Sequence, residues 1–299
     1  AAYPHSGMFM DLDSRALFAP VTKWNAVVHD VRRLPELLRH ALREALTGRP
    51  GPVHLDIPQD VLAAKIDWPA AEFDITPARY RAMHRPRPHA QAVAQAAALL
   101  AGAKRPLLLA GGGVIAADAV TPLRELAARL AAPVAPTQMA LGAVASDSPH
   151  FIGHGGLIAG PAMTQALAEA DVVLAVGCRF SSWLWDEQGP MVRRSQALIN
   201  LNLDPSALGH PALHSVALHA DAKEGLQDLL AALPAAASDP AWLPRLRERR
   251  RDDEARLRAM AEEPHAVMHP AALAAALGGA LPHDALAVFD GGHTSFWSN

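Results

Sequence analysis

The sequence predicts an α/β protein built on a parallel sheet with helices on both faces. Two observations carry that prediction. Short apolar runs such as Pro106-Leu-Leu-Leu-Ala110 and Asp171-Val-Val-Leu-Ala-Val176 show no polar alternation, so both of their faces are buried. Between such runs lie segments whose apolar residues recur at three- and four-residue spacing, the period of a helix. A chain that alternates the two patterns returns to its sheet through helical crossovers, and its strands then run parallel. The 299 residues, 51% of them hydrophobic, are enough for about two domains of roughly 150 residues each.

Taken in order, Leu34, Leu37, Leu38, Ala41, Leu42 and Ala45 share one face of a helix over 34–46. Gly48-Arg49-Pro50-Gly51-Pro52 ends that helix, and 53–57 read as a short buried strand stopped by Pro58. The Pro- and Arg-rich stretch 75–88 reads as a linker. Helix and strand then alternate: helix 90–101, strand 106–110, a turn at Gly111-Gly112-Gly113, helix 122–130 and strand 133–136. They continue with helix 161–169, strand 171–176, strands 197–203 and 216–218, and helix 222–230. This pattern is Rossmann-like, and ligands of such sheets sit at the carboxyl ends of the strands. Residues 239–263 are highly charged, with Leu246, Leu257 and Met260 as their few anchors, and read as a solvated linker helix. An Ala-rich helix to Leu281 and a strand over 285–289 open a further αβ unit.

Composition excludes several classes. Lys+Arg total 27 against 30 Asp+Glu, a net charge of −3 that offers no field to nucleic acid or an anionic membrane. Arg249-Arg250-Arg251 is followed at once by Asp252, Asp253 and Glu254, the pattern of a solvated face. No apolar run approaches the ~18 residues of a membrane span. The single cysteine, Cys178, rules out an internal disulfide and suits a reducing cytoplasm. The first residues carry no signal-peptide pattern, and both ends read as cut.

The glycine clusters leave two readings open. Gly111 to Ala116 form G-x-G-x-x-A straight after a strand, which serves either a dinucleotide pyrophosphate or simply a tight turn. A nicotinamide fingerprint also wants an acid after the next strand, and Pro136-Thr137-Gln138 supplies none. Gly153-His154-Gly155-Gly156 carries the same two readings. His150 and His154 have metal-ligand spacing, yet no Glu lies between them and helix propensity is poor there. Cys178 has no evident base beside it and reads as a small buried residue.

Several blocks, in order, resemble the acetolactate synthase-like family of thiamine diphosphate (ThDP) enzymes. They are Phe18-Ala-Pro-Val-Thr-Lys-Trp24, Gly48-Arg-Pro-Gly-Pro-Val-His-Leu-Asp-Ile-Pro-Gln-Asp60, the AGGGV turn, Thr137-Gln-Met-Ala-Leu-Gly142, the Gly153 cluster, Val176-Gly-Cys-Arg-Phe180, Asn202-Leu-Asp-Pro205 and Asp290-Gly-Gly-His-Thr-Ser-Phe-Trp297. The resemblance implies a central parallel-sheet domain flanked by partial α/β ThDP-binding domains. Residues 1–83 would end the pyrimidine-binding domain, 84–235 form the central domain, 236–264 a linker helix, and 265–299 the start of the diphosphate-binding domain. It implies decarboxylation or carboligation of a 2-oxo acid in a homodimer or homotetramer. Gly292, His293 and Thr294 would lie against the ThDP diphosphate. The catalytic glutamate would precede Ala1, and the Gly-Asp-Gly segment that holds Mg²⁺ would follow Asn299, so this chain alone is expected to be inactive. The resemblance further places FAD along Arg49, Gly112, Thr137, Gly153, His154, Arg179 and Phe180. The chain departs from the pattern where a lysine becomes Gln59, an acidic pair becomes Ser181-Ser182, and an acid becomes Asn202. The alternatives are a non-catalytic flavin- or nucleotide-binding module and, disfavoured by the missing acid, a nicotinamide oxidoreductase.

Overall fold

The computed structural model describes all residues except 1–6, 8, 10, 157–158, 187–188, 210–212, 236–237, 265–266, 283, 289–296 and 298–299. They form two compact units, 1–85 and 86–299.

In the first unit, β1 (Trp24–Val27) and β2 (Val53–Asp56) pair in parallel, Trp24 opposite Val53 and Val27 opposite Asp56. Helix α1 (Leu34–Leu46) lies between them in sequence and buries Pro35, Leu37 and Ala41, the last two on the face its spacing predicts. Val28, Leu37 and Val61 form its small core, edged by Trp24, Leu34 and Leu55. The end of α1 is tied down by Lys23. Its ammonium donates to the carbonyls of Glu44 (2.6 Å), Thr47 (2.8 Å) and Arg49 (3.0 Å). Carbonyls at a helix C-terminus lack intrahelical donors, and a cation there also meets the negative end of the helix dipole. Gly48 takes φ +61°, and a Cβ on Gly51 would fall 2.9 Å from Lys23 Cδ. The block ending in Thr-Lys and the Arg-Pro-Gly-Pro turn are therefore two halves of one structural tie.

The second unit is a five-stranded parallel sheet of β3 (Pro106–Ala110), β4 (Val134–Pro136), β5 (Val172–Val176), β6 (Ala197–Asn202) and β7 (Val216–His219). Its spatial order is β4-β3-β5-β6-β7. The helices are α2 (Ala90–Gly102), α3 (Gly112–Ala116), α4 (Val120–Leu130), α5 (Pro161–Glu169), α6 (Ala222–Ala232), α7 (Trp242–Glu262) and α8 (Pro270–Ala280). Successive strand residues point to opposite faces. Leu108, Leu174, Val176 and Ile199 pack with Leu100 of α2, Leu126 of α4 and Leu226 of α6. Leu107, Leu109, Val173 and Leu198 pack with Met163 of α5 and with Trp242 and Leu246 of α7. The expected sandwich with helices on both faces is what forms.

Two expectations are corrected. The charged helix is not simply a solvated linker, because Trp242, Leu243 and Leu246 bury its first turns and Trp242 Nε1 donates to the Pro106 carbonyl at 2.9 Å. Of the anchors read from sequence, Leu246 is buried and Leu257 is exposed. The strand expected over 285–289 does not form in 285–288, where Leu286 and Val288 are 92% and 88% exposed. A parallel strand needs neighbours to bond its amides and carbonyls, and none of the described strands pairs there. Among the described residues, no helix is long and apolar enough to cross a membrane.

Candidate functional site

The order of the sheet reverses between β3 and β5, and the crevice beyond such a reversal is where open α/β sheets bind ligands. Here the glycine turns after the two strands press against each other. Gly111 N–H donates to the Val176 carbonyl (2.8 Å) and Gly113 N–H to the Gly177 carbonyl (3.3 Å). Gly177 N–H donates to the Leu201 carbonyl at 2.8 Å. A Cβ on Gly113 would fall 2.7 Å from the Gly177 Cα, and Gly177 itself sits at φ +62°. The close approach these glycines permit is to another stretch of backbone, as the tight-turn reading of the G-x-G-x-x-A run requires. Gly112 faces the neighbouring loop, where a Cβ would lie 3.1 Å from Met139 Cβ.

The other expected site residues of this unit gather at the same end of the sheet. Thr137 follows β4, half-buried, its amide donating to the Ala110 carbonyl at 2.8 Å. The loop of Gly153 (φ +112°) and Gly156 (φ +122°) crosses beside it, with Gly155 N–H on the Pro136 carbonyl at 2.8 Å. His154 presents its ring edge-to-face with Phe151 (5.3 Å), and its buried Nδ1 has no hydrogen-bond partner. Burial, helped by the charge of Arg250, pushes its pKa below the ordinary histidine value, so the ring is neutral at pH 7. His150 Nδ1 bonds the Ala132 carbonyl instead (2.8 Å), so the two histidines are not paired as ligands.

Past β5, the Cys178 thiol donates to the Leu109 carbonyl at 3.4 Å, and burial pushes its pKa up to about 12. A thiol held protonated is no nucleophile, and the small-buried-residue reading holds. Arg179 projects outward, exposed, with no ion pair among the described residues. Phe180 is buried at φ +50°, a conformation rare for a bulky residue, and its carbonyl accepts from Trp185 Nε1 at 3.0 Å. Asn202, at the end of β6, is buried; its Nδ2 donates to the Cys178 carbonyl (2.8 Å) and its Oδ1 accepts from Asp204 N–H (3.0 Å).

Arg49 belongs to the first unit, at the turn after α1, while Gly292, His293 and Thr294 lie outside the described residues. Sequence reasoning missed Arg250. Read as part of a solvated triplet, it instead donates to the carbonyls of Ser146 (2.9 Å) and Phe151 (3.0 Å) and covers the Phe151 ring at 4.5 Å. It missed Asp253 too, whose carboxylate accepts from Ala162 N–H (3.2 Å) at the start of α5. Only Phe151 as a partner aromatic could have signalled the role of Arg250, and it lies 99 residues away; the contact of Asp253 with a backbone amide leaves no signal in the sequence.

FAD fits this arrangement poorly. The amides of Gly111 and Gly113 already donate to carbonyls, Asn202 is turned inward, and Ser181-Ser182 bring no charge. Arg179 is the one expected FAD residue in this unit that offers a cation.

Residues 93–229 match the family described as thiamine pyrophosphate enzyme, central domain. Among curated relatives, a probable acetolactate synthase large subunit of Methanocaldococcus jannaschii is 35% identical over 246 residues, covering 80% of this chain and 41% of the relative. The acetolactate synthase large subunit of Corynebacterium glutamicum is 36% identical over 224 residues, 74% of this chain and 35% of the relative. A probable 2-ketoarginine decarboxylase, AruI, of Pseudomonas aeruginosa is 38% identical over 232 residues, 77% of this chain and 39% of the relative. The matches therefore span about two fifths of the length of these relatives.

Proposed function

We propose that this chain, which belongs to the acetolactate synthase-like family of thiamine pyrophosphate enzymes, is part of a catalyst that decarboxylates or ligates 2-oxo acids. The match of 93–229 to the family's central domain carries this reading. That segment runs from α2 into α6 and takes in the whole five-stranded sheet. The relatives support the substrate class, since acetolactate synthases and a probable 2-ketoarginine decarboxylase are among them.

Thiamine diphosphate, with Mg²⁺, supplies the electron sink for the carbanion when bound, and the protein supplies position and charge. Within this chain, Gly292, His293 and Thr294 are the residues proposed to meet the diphosphate, since free amides and His or Thr side chains donate to an anion. The sequence contains no Gly-Asp-Gly, and no residue of these 299 is assigned to Mg²⁺. On the same reading, 1–83 end the pyrimidine-binding domain, 84–235 form the central domain, 236–264 link it onward, and 265–299 begin the diphosphate-binding domain. The assembly is a homodimer or homotetramer in the cytoplasm.

Turnover tests the proposal. The full-length protein that carries this chain, given thiamine diphosphate and Mg²⁺, should release CO₂ from pyruvate or 2-ketoarginine, while the 299 residues alone should not. Failure on a whole panel of 2-oxo acids, with the cofactor shown to be bound, overturns it.

A further inference from the structure

We infer that the crevice at the carboxyl ends of β3 and β5 is a backbone clasp, with most of its donors already engaged, that does not take a dinucleotide, flavin included. The inference is independent of the ThDP reading, since it concerns only the central sheet. A pyrophosphate bound at a glycine turn needs amide donors that are not otherwise engaged. Of the three glycine amides in the turn, those of Gly111 and Gly113 donate to the Val176 and Gly177 carbonyls, which leaves Gly112's alone to meet a pyrophosphate. Taking either amide for a phosphate strips a carbonyl of its donor, and each buried bond lost costs on the order of tenfold in affinity.

The clasp is closed from a third strand. Asn202 donates to the Cys178 carbonyl and accepts from Asp204 N–H, so both ends of its amide are spoken for. A carboxylate at 202 could accept the second bond but could not donate the first. The identity of Asn202 therefore suits the inward bond and not an outward contact to a ribose. The turn between β5 and the following loop is further pinned by two residues in the left-handed region, Gly177 (φ +62°) and Phe180 (φ +50°), the latter held by burial and by Trp185 Nε1. Glycine takes that conformation freely, but a phenylalanine in it persists only where its surroundings over-determine it, so opening this turn at Phe180 for a ligand is costly. The two positions where the family's acidic pair is replaced, Ser181 and Ser182, are both exposed and add no donor of charge.

The test uses the full-length protein that carries this chain. It is purified without added flavin, then titrated separately with FAD and ADP, reading flavin fluorescence, retention through gel filtration and the Tm. A ligand of Kd ~10 µM supplied at about 1 mM would raise the Tm by roughly 5–10 °C. The expected result is no flavin retained and a Tm unmoved by either ligand. Saturable binding of FAD or ADP, with flavin retained or the Tm raised, overturns the inference. Asn202→Asp probes the clasp itself: the Tm should fall by roughly 3–8 °C with no flavin gained. An Asn202→Asp chain with unchanged Tm, or one that acquires flavin, also overturns it. If that variant does not fold, the wild-type titration still decides the matter.

Discussion

Replacing Trp242 by alanine tests the docking of α7 on the sheet most directly. The side chain is fully buried at the start of a helix whose remaining residues are mostly charged, and its Nε1 donates to the Pro106 carbonyl at the head of β3. A buried Trp takes ~200 Å² out of water, worth about 5 kcal/mol at 25 cal/mol per Å² before the unfolded chain's own burial is discounted. Large-to-small replacements of this kind cost about 3–5 kcal/mol, and that figure contains the Pro106 carbonyl's lost donor. Trp242→Phe keeps most of the area and loses the N–H, so about 1–2 kcal/mol is expected. In a unit of this size the alanine variant should melt about 10 °C lower. Urea unfolding followed by far-UV circular dichroism measures both variants, with Leu257→Ala, 43% exposed on the same helix, as a control expected to cost under ~1 kcal/mol. A cost below ~1 kcal/mol for Trp242→Ala, with an unchanged m-value, would show the helix to be detached and refute the docking.

Lys23→Met removes the donor to three carbonyls and should cost the first unit about 1–2 kcal/mol; faster hydrogen exchange in the last turn of α1 is the readout. Ala131 ends α4 at φ +46°, a conformation that penalises a Cβ, so Ala131→Gly should raise stability by about 1 kcal/mol in the same urea assay. Cys178, its pKa pushed up to about 12, should resist thiol reagents at pH 8 until the chain unfolds; rapid labelling of the native chain contradicts its burial. His154 has a folded pKa below its ordinary value of 6.5, so the unfolded state binds the proton first and stability falls as pH drops below that value. His154→Gln should flatten the fall in Tm between about pH 7 and pH 5, and an identical slope in both proteins would remove the histidine from the account.

The legible parts of the fold are those where one physical demand dominates a run of residues. β3 and β5 are wholly buried, so every position had to be apolar, and their bounds follow closely from the letters. Helix α1 was readable because it has one core to face and a Gly-Pro turn to stop it. β1 was not foreseen: it is four residues long, only half-buried, carries Asn25 in its middle and exists by virtue of its pairing with β2. In α7 the charges outnumber the anchors, and the anchor that matters stands at its first residue, outside any repeat that periodicity could detect. The site was legible as a place and not as a chemistry. Glycines are required both where a phosphate approaches and where another chain segment does, and the approach of Gly177 to Gly113 cannot be read from the letters. Asn202 had the same ambiguity, because an amide serves an inward carbonyl as readily as a ligand.

The blocks that carry the family resemblance meet in pairs across long stretches of sequence. The Thr-Lys block closes on the Arg-Pro-Gly-Pro turn through Lys23, the triple glycine on the turn after β5 through Gly177, and that turn on the Asn-Leu-Asp block through Asn202. Each pair satisfies main-chain groups that would otherwise be left without partners where the chain turns at a helix or strand end. Such closure is demanded by the fold whatever ligand is present, so these blocks are strong markers of architecture and weak markers of a cofactor. The side chains that would speak for a flavin are a different set, and Gln59, Ser181, Ser182 and Asn202 are where this chain departs from the pattern. Backbone closure is therefore kept in this chain at the same positions where those side chains differ from the family pattern.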